Sequence, residues 1–156
     1  MEIILKNIKS AKKNLEILED DKFIKEINNF SIEAIKTLKK KKKLIFCGNG
    51  GSASDSNHIA AELVGRFMKN RVALNAISLT ANTSAITAIA NDLDYKKIFS
   101  RQIEAHGNKG DLLICITTSG RSKNILEAVK TAKKKDIKTL FLSSILARKI
   151  KLKTDF

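Results

Sequence analysis

Two amphipathic helices are predicted at the start of the chain. Apolar residues recur three and four positions apart over residues 4–18, and again over residues 24–38. Asp20 and Asp21 lie between the two patterns and can cap the second helix. Because helices joined so closely form an antiparallel hairpin, we expect residues 1–43 to be a helical hairpin that packs on the remainder of the chain.

From residue 44 onward, short apolar runs alternate with helical patterns. The apolar runs predict strands at Leu44–Cys47, Ala73–Leu79, Leu112–Ile116 and Lys138–Leu142. Helical patterns cover residues 53–67, a short stretch from Thr83, residues 95–107 and residues 123–135. This alternation is typical of an α/β domain with a doubly wound parallel sheet, covered by helices on both faces. The last residues, 145–156, show no clear start or stop signal.

Charge and composition argue against a nucleic-acid-binding protein and against a membrane protein. The net charge is +14, but it comes from 25 Lys and only 5 Arg, and the eight aromatic residues do not alternate with a basic stripe. Nucleic-acid binding proteins favour Arg and aromatic stacking platforms, so we do not expect a nucleic-acid partner. No apolar run approaches the roughly 18 residues of a membrane span, and no export signal is visible, so the prediction is a cytoplasmic protein without a membrane partner. Cys47 and Cys115 lie in apolar runs and are predicted to be inert core thiols.

The first candidate site follows the first predicted strand. Its sequence, Gly48-Asn49-Gly50-Gly51-Ser52, allows a sharp turn and brings backbone N–H groups close to a ligand at the start of a helix. A plain glycine turn is the alternative interpretation.

A second candidate site follows the third predicted strand. Thr117, Thr118, Ser119 and Ser122 place four hydroxyls around Gly120 at a helix start. Ordinary helix capping needs only one hydroxyl, whereas four can surround a phosphate with donors. Two such loops in one parallel sheet predict a phosphorylated ligand. The P-loop motif and the acid of a nicotinamide site are both missing, so a sugar phosphate fits better than a nucleotide.

Candidate chemistry lies on the helix after the first loop. His58 and Glu62 are four residues apart and therefore share one helix face, which Arg66 continues. Such a pair can hold a metal or act as acid and base, or it can be a surface ion pair. Asn91 and Asp92 follow another helical stretch, where a helix end with a turn is the alternative to a ligand contact.

Together these segments resemble a known family. The stretches CGNGGSASDSNHIAAELVGRF, AIAND, FSRQIEAHGNKGD and ITTSGRSKNILEA occur in the order found in the phosphoheptose isomerases of the SIS (sugar isomerase) domain superfamily. The resemblance implies an SIS-type fold over residues 44–156. It also implies conversion of sedoheptulose 7-phosphate to glycero-manno-heptose 7-phosphate, the first step toward the ADP-heptose of lipopolysaccharide or capsule. Zinc dependence and a homotetramer with sites between subunits are implied as well.

The resemblance assigns roles by position. Substrate contacts fall on Asn49, Gly50, Gly51, Ser52, Glu62, Asn91, Asp92, Thr117, Thr118, Ser119 and Ser122. His58 matches a zinc ligand and a catalytic residue. Glu62 matches a second zinc ligand, and it is also the base that moves the substrate proton.

The C-terminal residues depart from the family pattern. In the family, a further strand and a long helix supply a Gln and a His to the metal site, and this chain has no Gln or His after His106. We therefore expect the SIS domain to lack its last strand and helix, and the activity of this chain to be low. The alternative function is a non-catalytic SIS protein, either a phospho-sugar sensor or an adaptor like the replication-initiator-associating proteins.

Overall fold

The computed structural model describes residues 1–144 and residue 155. Six α-helices are described: α1 (Glu2–Leu18), α2 (Asp21–Lys39), α3 (Gly51–Val64), α4 (Thr83–Asp92), α5 (Ser100–His106) and α6 (Lys123–Lys134). The described strands are β1 (Leu44–Gly48), β2 (Ala76–Ser78), β3 (Leu112–Thr117) and β4 (Lys138–Ser143). A single 3₁₀ turn at Tyr95–Lys97 lies between α4 and α5 in this part of the chain.

The four strands form one parallel sheet in the order β2-β1-β3-β4. The predicted α/β class and all four strands are confirmed. The chain moves from β1 outward to β2 on one side, then returns to β3 beside β1 and moves outward to β4 on the other side. This reversal creates a topological switch point between β1 and β3, and ligands of open α/β sheets bind at the carboxyl ends of the strands at such a point.

Alternate residues of the central strands pack on opposite faces of the sheet. Ile45 and Cys47 of β1, with Leu113 and Cys115 of β3, belong to a buried cluster that includes apolar residues of α5 and α6. The two thiols lie in register on neighbouring strands, with their Sγ atoms 3.6 Å apart. Burial raises the pKa of the Cys115 thiol well above its ordinary value. A buried thiol that resists ionisation is unreactive, which agrees with the predicted role as core residues.

The N-terminal helices are confirmed as elements. Residues Met1–Glu33 form one compact unit, and the chain from Ala34 onward forms the other. Helix α1 contains no buried residue. The predicted packing of residues 1–43 on the SIS domain stays a prediction.

Three predicted elements differ from the structure. The helix expected over residues 53–67 begins at Gly51 and ends at Val64. The helix expected over residues 95–107 is interrupted, because Asp94 caps a 3₁₀ turn by accepting a hydrogen bond from the Lys96 N–H at 2.7 Å. The α-helical part begins only at Ser100. The second strand begins at Ala76 rather than at Ala73. The predicted absence of the family's last strand and helix lies outside the described residues, since after Ser144 the structure describes only residue 155.

A buried ion pair joins the amino ends of β1 and β3. The Asp111 carboxylate is 1% exposed, and the Lys43 Nζ atom approaches it to 2.7 Å. The backbone N–H groups of Lys43 and Asn108 also donate to this carboxylate, at 3.0 and 2.8 Å. These contacts hold the amino ends of β1 and β3 together, and the candidate site lies at the opposite, carboxyl ends of the same strands.

Candidate functional site

The two predicted phosphate loops lie side by side at the switch point. The first loop (residues 48–52) follows β1 and the second loop (residues 117–122) follows β3. The two strands are paired up to Gly48 opposite Ile116. The pairing therefore brings both loops, and the N-terminal ends of α3 and α6, to one edge of the sheet.

Glycine is required in the first loop. A Cβ atom on Gly48 would lie 2.4 Å from the Ser52 carbonyl oxygen, so any side chain there would displace the start of α3. Gly50, the N-cap of α3, has a φ of 57°, in the left-handed region that favours glycine. Gly51 and Ser52 form the first turn of α3. The Ser52 N–H donates to the Asn49 carbonyl at 3.1 Å and the Ala53 N–H to the Gly50 carbonyl at 3.0 Å, so hydrogen bonds within the loop close this turn. Contact of the loop with a ligand stays a prediction.

The hydroxyls of the second loop are arranged around its backbone. Thr117 is 5% exposed, and its Oγ1 accepts a hydrogen bond from the Gly120 N–H at 3.1 Å. Ser119 Oγ likewise accepts from the Arg121 N–H at 3.2 Å. A hydroxyl that accepts a hydrogen bond still has its own hydrogen to donate. Thr118 is exposed, and Ser122, the N-cap of α6, makes no side-chain capping bond.

Two side chains outside the first loop hold its Asn49 side chain in place. Asn49 Nδ2 donates to Asn124 Oδ1 at 3.0 Å, and Asn124 Nδ2 donates back to Asn49 Oδ1 at 2.8 Å. The Tyr95 hydroxyl donates to the same Asn49 oxygen at 3.2 Å. Asn124 and Tyr95 were not predicted from the sequence, because neither lies in a loop whose composition suggests a ligand site.

These residues line an open cavity of about 480 Å³. Its walls include Asn49, Tyr95, Lys96, Ser122, Lys123 and Asn124. Asp94 also lines it, and the backbone N–H of Lys96 holds the pKa of that carboxyl below its ordinary value. The volume falls within the range of small-molecule sites.

His58 and Glu62 share one face of α3, as predicted. The His58 Nε2 and Glu62 Oε1 atoms are 3.9 Å apart, and the side chains are 75% and 38% exposed. Arg71, which was not predicted from the sequence, donates to the backbone carbonyls of Glu62 and Leu63, both at 2.9 Å. These bonds cap the last turn of α3 and fix the backbone that carries Glu62.

The donor types of this pair suit zinc only in part. An imidazole nitrogen and a carboxylate oxygen are both common zinc ligands, but a tetrahedral site needs about four. Among residues 1–144 and 155, no three His, Cys, Asp or Glu side chains come together as a metal-binding group.

Asn91 and Asp92 occupy the last turn of α4. Both are exposed, and Asn91 Nδ2 donates to Asp92 Oδ1 at 2.8 Å. The hydrogen bonds described for them do not join them to either loop, so their predicted substrate contact stays a prediction.

Comparisons with known proteins match this chain to SIS-domain proteins and, among them, to phosphoheptose isomerases. The SIS domain family matches residues 8–144. A phosphoheptose isomerase of Helicobacter pylori (strain P12) is 49% identical over 146 residues, which are 94% of this chain and 73% of that protein. A phosphoheptose isomerase of a Nitratiruptor species is 55% identical over 112 residues, and the match covers 72% of this chain and 60% of that protein. The chain thus spans between about 60 and 73% of the length of these two relatives.

Solved structures are similar over nearly the whole chain. The phosphoheptose isomerase of Francisella tularensis superposes with a TM-score of 0.87 at 31% identity, covering 93% of this chain and 78% of that one. The enzyme of Neisseria gonorrhoeae superposes with a TM-score of 0.80 at 36% identity, covering 96% of this chain and 75% of that one.

Proposed function

The chain belongs to the phosphoheptose isomerase family of SIS-domain proteins, and from this premise we propose that it isomerises sedoheptulose 7-phosphate to D-glycero-D-manno-heptose 7-phosphate. One observation carries the proposal. The switch point sets two donor-rich loops beside each other, and the helix that begins at the first loop carries a His and a Glu on one face. The loops suit a phosphate, and the carboxylate suits a proton transfer.

Glu62 is the residue that we assign to the chemistry. In aldose–ketose isomerisation, a base takes the proton from one of the two carbons C1 and C2 and returns it to the other through an enediol. A carboxylate can accept and return this proton, and the Arg71 bonds to the last turn of α3 keep its backbone in place. The hydroxyls of Thr117, Thr118, Ser119 and Ser122 donate to the phosphate, which orients the sugar.

We further propose that His58 and Glu62 provide two of the ligands of a zinc ion. Zinc, when bound, would polarise the oxygens next to the reacting carbons. The other ligands would come from outside the described residues. A homotetramer, a cytoplasmic location and a place at the start of ADP-heptose synthesis for lipopolysaccharide or capsule also belong to this proposal. Within the described residues, no helix is both long and apolar enough to cross a membrane.

We expect a polypeptide of these 156 residues to bind zinc weakly. Two ligands fill about half of a tetrahedral site, and water completes it. Competition with a chromogenic chelator measures the affinity, independently of activity. His58→Ala should weaken zinc binding at least about tenfold, since one of the two protein ligands is lost. His106→Ala, which changes the other histidine of the chain, is the matched control. Equal zinc affinity in all three proteins would contradict the assignment of His58.

The function is tested by incubating the purified chain with sedoheptulose 7-phosphate, with and without zinc, and following the aldose product by chromatography. Turnover supports the isomerase. Binding of the sugar phosphate without turnover, in the presence of zinc, would instead support the second candidate, a phospho-sugar-binding SIS protein. The incomplete set of metal ligands among the described residues is the observation that favours this second candidate.

A further inference from the structure

The side chain of Asn124 is buried and takes part in three hydrogen bonds. Asn124 is 3% exposed and is the second residue of α6. Its Oδ1 atom accepts from Asn49 Nδ2 at 3.0 Å and from the Ile125 N–H at 2.9 Å, while its Nδ2 atom donates to Asn49 Oδ1 at 2.8 Å. The two carboxamides therefore form a reciprocal pair between the first loop and the start of α6, across 75 residues of sequence.

The oxygen of Asn49 is saturated by these contacts. It accepts from Asn124 Nδ2 and from the Tyr95 hydroxyl, at 2.8 and 3.2 Å. A carbonyl oxygen has two lone pairs, and both are used here. Asn49 Oδ1 is consequently not free to accept a hydrogen bond from a sugar hydroxyl. What Asn49 offers a ligand is an N–H hydrogen, from its backbone or from the second position on Nδ2.

Gly50 and Gly51, in the middle of the first loop, are exposed and have open space beside them. No heavy atom lies within 4 Å of the place where a Cβ atom would stand on Gly50 or on Gly51. Glycine also has the largest backbone freedom of any residue. The N–H groups of Ser52 and Ala53 donate to the carbonyls of Asn49 and Gly50, so the position of Asn49 determines the geometry of this turn.

We propose that Asn124 is a positioning residue for the phosphate site, acting through an amide latch formed by Asn49, Asn124 and Tyr95. The latch holds the first loop against the start of α6, so that the N–H groups of the first loop and the hydroxyls of the second face the same ligand. The expected changes in KM and kcat rest on the proposed function. The expected change in hydrogen exchange of the loop does not.

The test compares Asn124→Ala, Asn124→Asp and Tyr95→Phe with the unchanged chain. Asn124→Asp keeps both acceptor contacts but replaces the donation to Asn49 Oδ1 with a repulsive contact between two oxygens, and it adds a charge at a buried position. Tyr95→Phe removes one hydroxyl from a residue that is 57% exposed, so the variant should fold. Hydrogen exchange is measured for the loop amides of Ser52, Ala53 and Ser54, which donate to the carbonyls of Asn49 and Gly50. The Kd for inorganic phosphate is measured for each protein, together with KM and kcat for sedoheptulose 7-phosphate.

We expect both Asn124 variants to speed exchange of the loop amides about tenfold, the change that corresponds to losing one hydrogen bond, while exchange in β1 and β3 stays unchanged. The phosphate Kd and KM should rise by a similar factor, with kcat changed less. Tyr95→Phe should produce a smaller change, about two- to threefold, in the same direction.

Unchanged loop exchange in Tyr95→Phe and in both Asn124 variants would overturn the latch. A uniform rise in exchange throughout the domain, with KM unaltered, would also overturn it, because Asn124 would then serve stability alone. If the unchanged chain binds phosphate but does not turn over the heptulose, the proposed function fails, while the exchange result still decides the latch.

Discussion

Replacing Glu62 with Gln is expected to lower isomerisation by about 10²- to 10⁴-fold, the range that general acid–base catalysis contributes. Glutamine has nearly the same shape as glutamate, but its amide does not accept a proton from carbon at neutral pH. The donors that we assign to the phosphate lie on the two loops, so the Kd for inorganic phosphate should stay within about twofold. Kinetics with sedoheptulose 7-phosphate and a phosphate titration measure the two effects.

Glu127→Gln is the matched control for this experiment. The Glu127 side chain is 37% exposed and that of Glu62 is 38% exposed, so the two substitutions remove one charge from similarly accessible helical positions. Glu127 pairs with Lys130 on the outside of α6, and turnover should be unaffected. Normal turnover in Glu62→Gln would refute the assignment of the base. Equal losses in both variants would point to a general charge effect instead.

Asp111→Asn is expected to lower the free energy of unfolding by about 3 kcal/mol, because it leaves the ammonium of Lys43, whose side chain is 16% exposed, without its buried counter-ion. The carboxylate receives Lys43 Nζ at 2.7 Å and two backbone N–H groups. An amide has only one acceptor oxygen, and its NH₂ group would face a donor. Urea unfolding followed by circular dichroism gives the difference.

Asp136→Asn provides the comparison on the surface. Asp136 and Lys109 form an ion pair at 3.0 Å, but their side chains are 67% and 81% exposed. Water and salt screen such a pair, so the loss should stay below about 1 kcal/mol. Asparagine also tolerates the φ of 54° at this position. Similar losses in Asp111→Asn and Asp136→Asn would show that burial does not set the strength of the Lys43–Asp111 pair.

The fold was predictable because its signals are local. Each strand is an apolar run bounded by turn residues, and the glycines and hydroxyls after β1 and β3 mark the carboxyl ends of those strands. The break before α5 was not predictable from periodicity. Ile98 and Phe99 continue the apolar pattern, and it is the capping bond from the Lys96 N–H to Asp94 that favours a 3₁₀ turn instead.

The candidate site was predictable only where its residues stand out in the sequence. Glu62, His58 and the two loops were found by spacing and composition. Asn124 and Tyr95 escaped notice because their importance lies in contacts with Asn49, a residue far from both in the chain. Arg71 escaped for the same reason, since a basic residue after a helix shows its capping role only when the carbonyl groups that it reaches are known.

The register of β1 against β3 also has a consequence for how the protein folds. Cys47 and Cys115 are opposite each other although 68 residues separate them in the chain, and this pairing brings the two loops side by side. Proteins rich in such non-local contacts have high contact order and fold slowly, because the entropy of closing a long segment is lost before the contacts form. During synthesis, the ribosome must release the chain past residue 117 before the two strands can pair in full. The proposed phosphate site therefore forms late in folding, in the same step that completes the centre of the sheet.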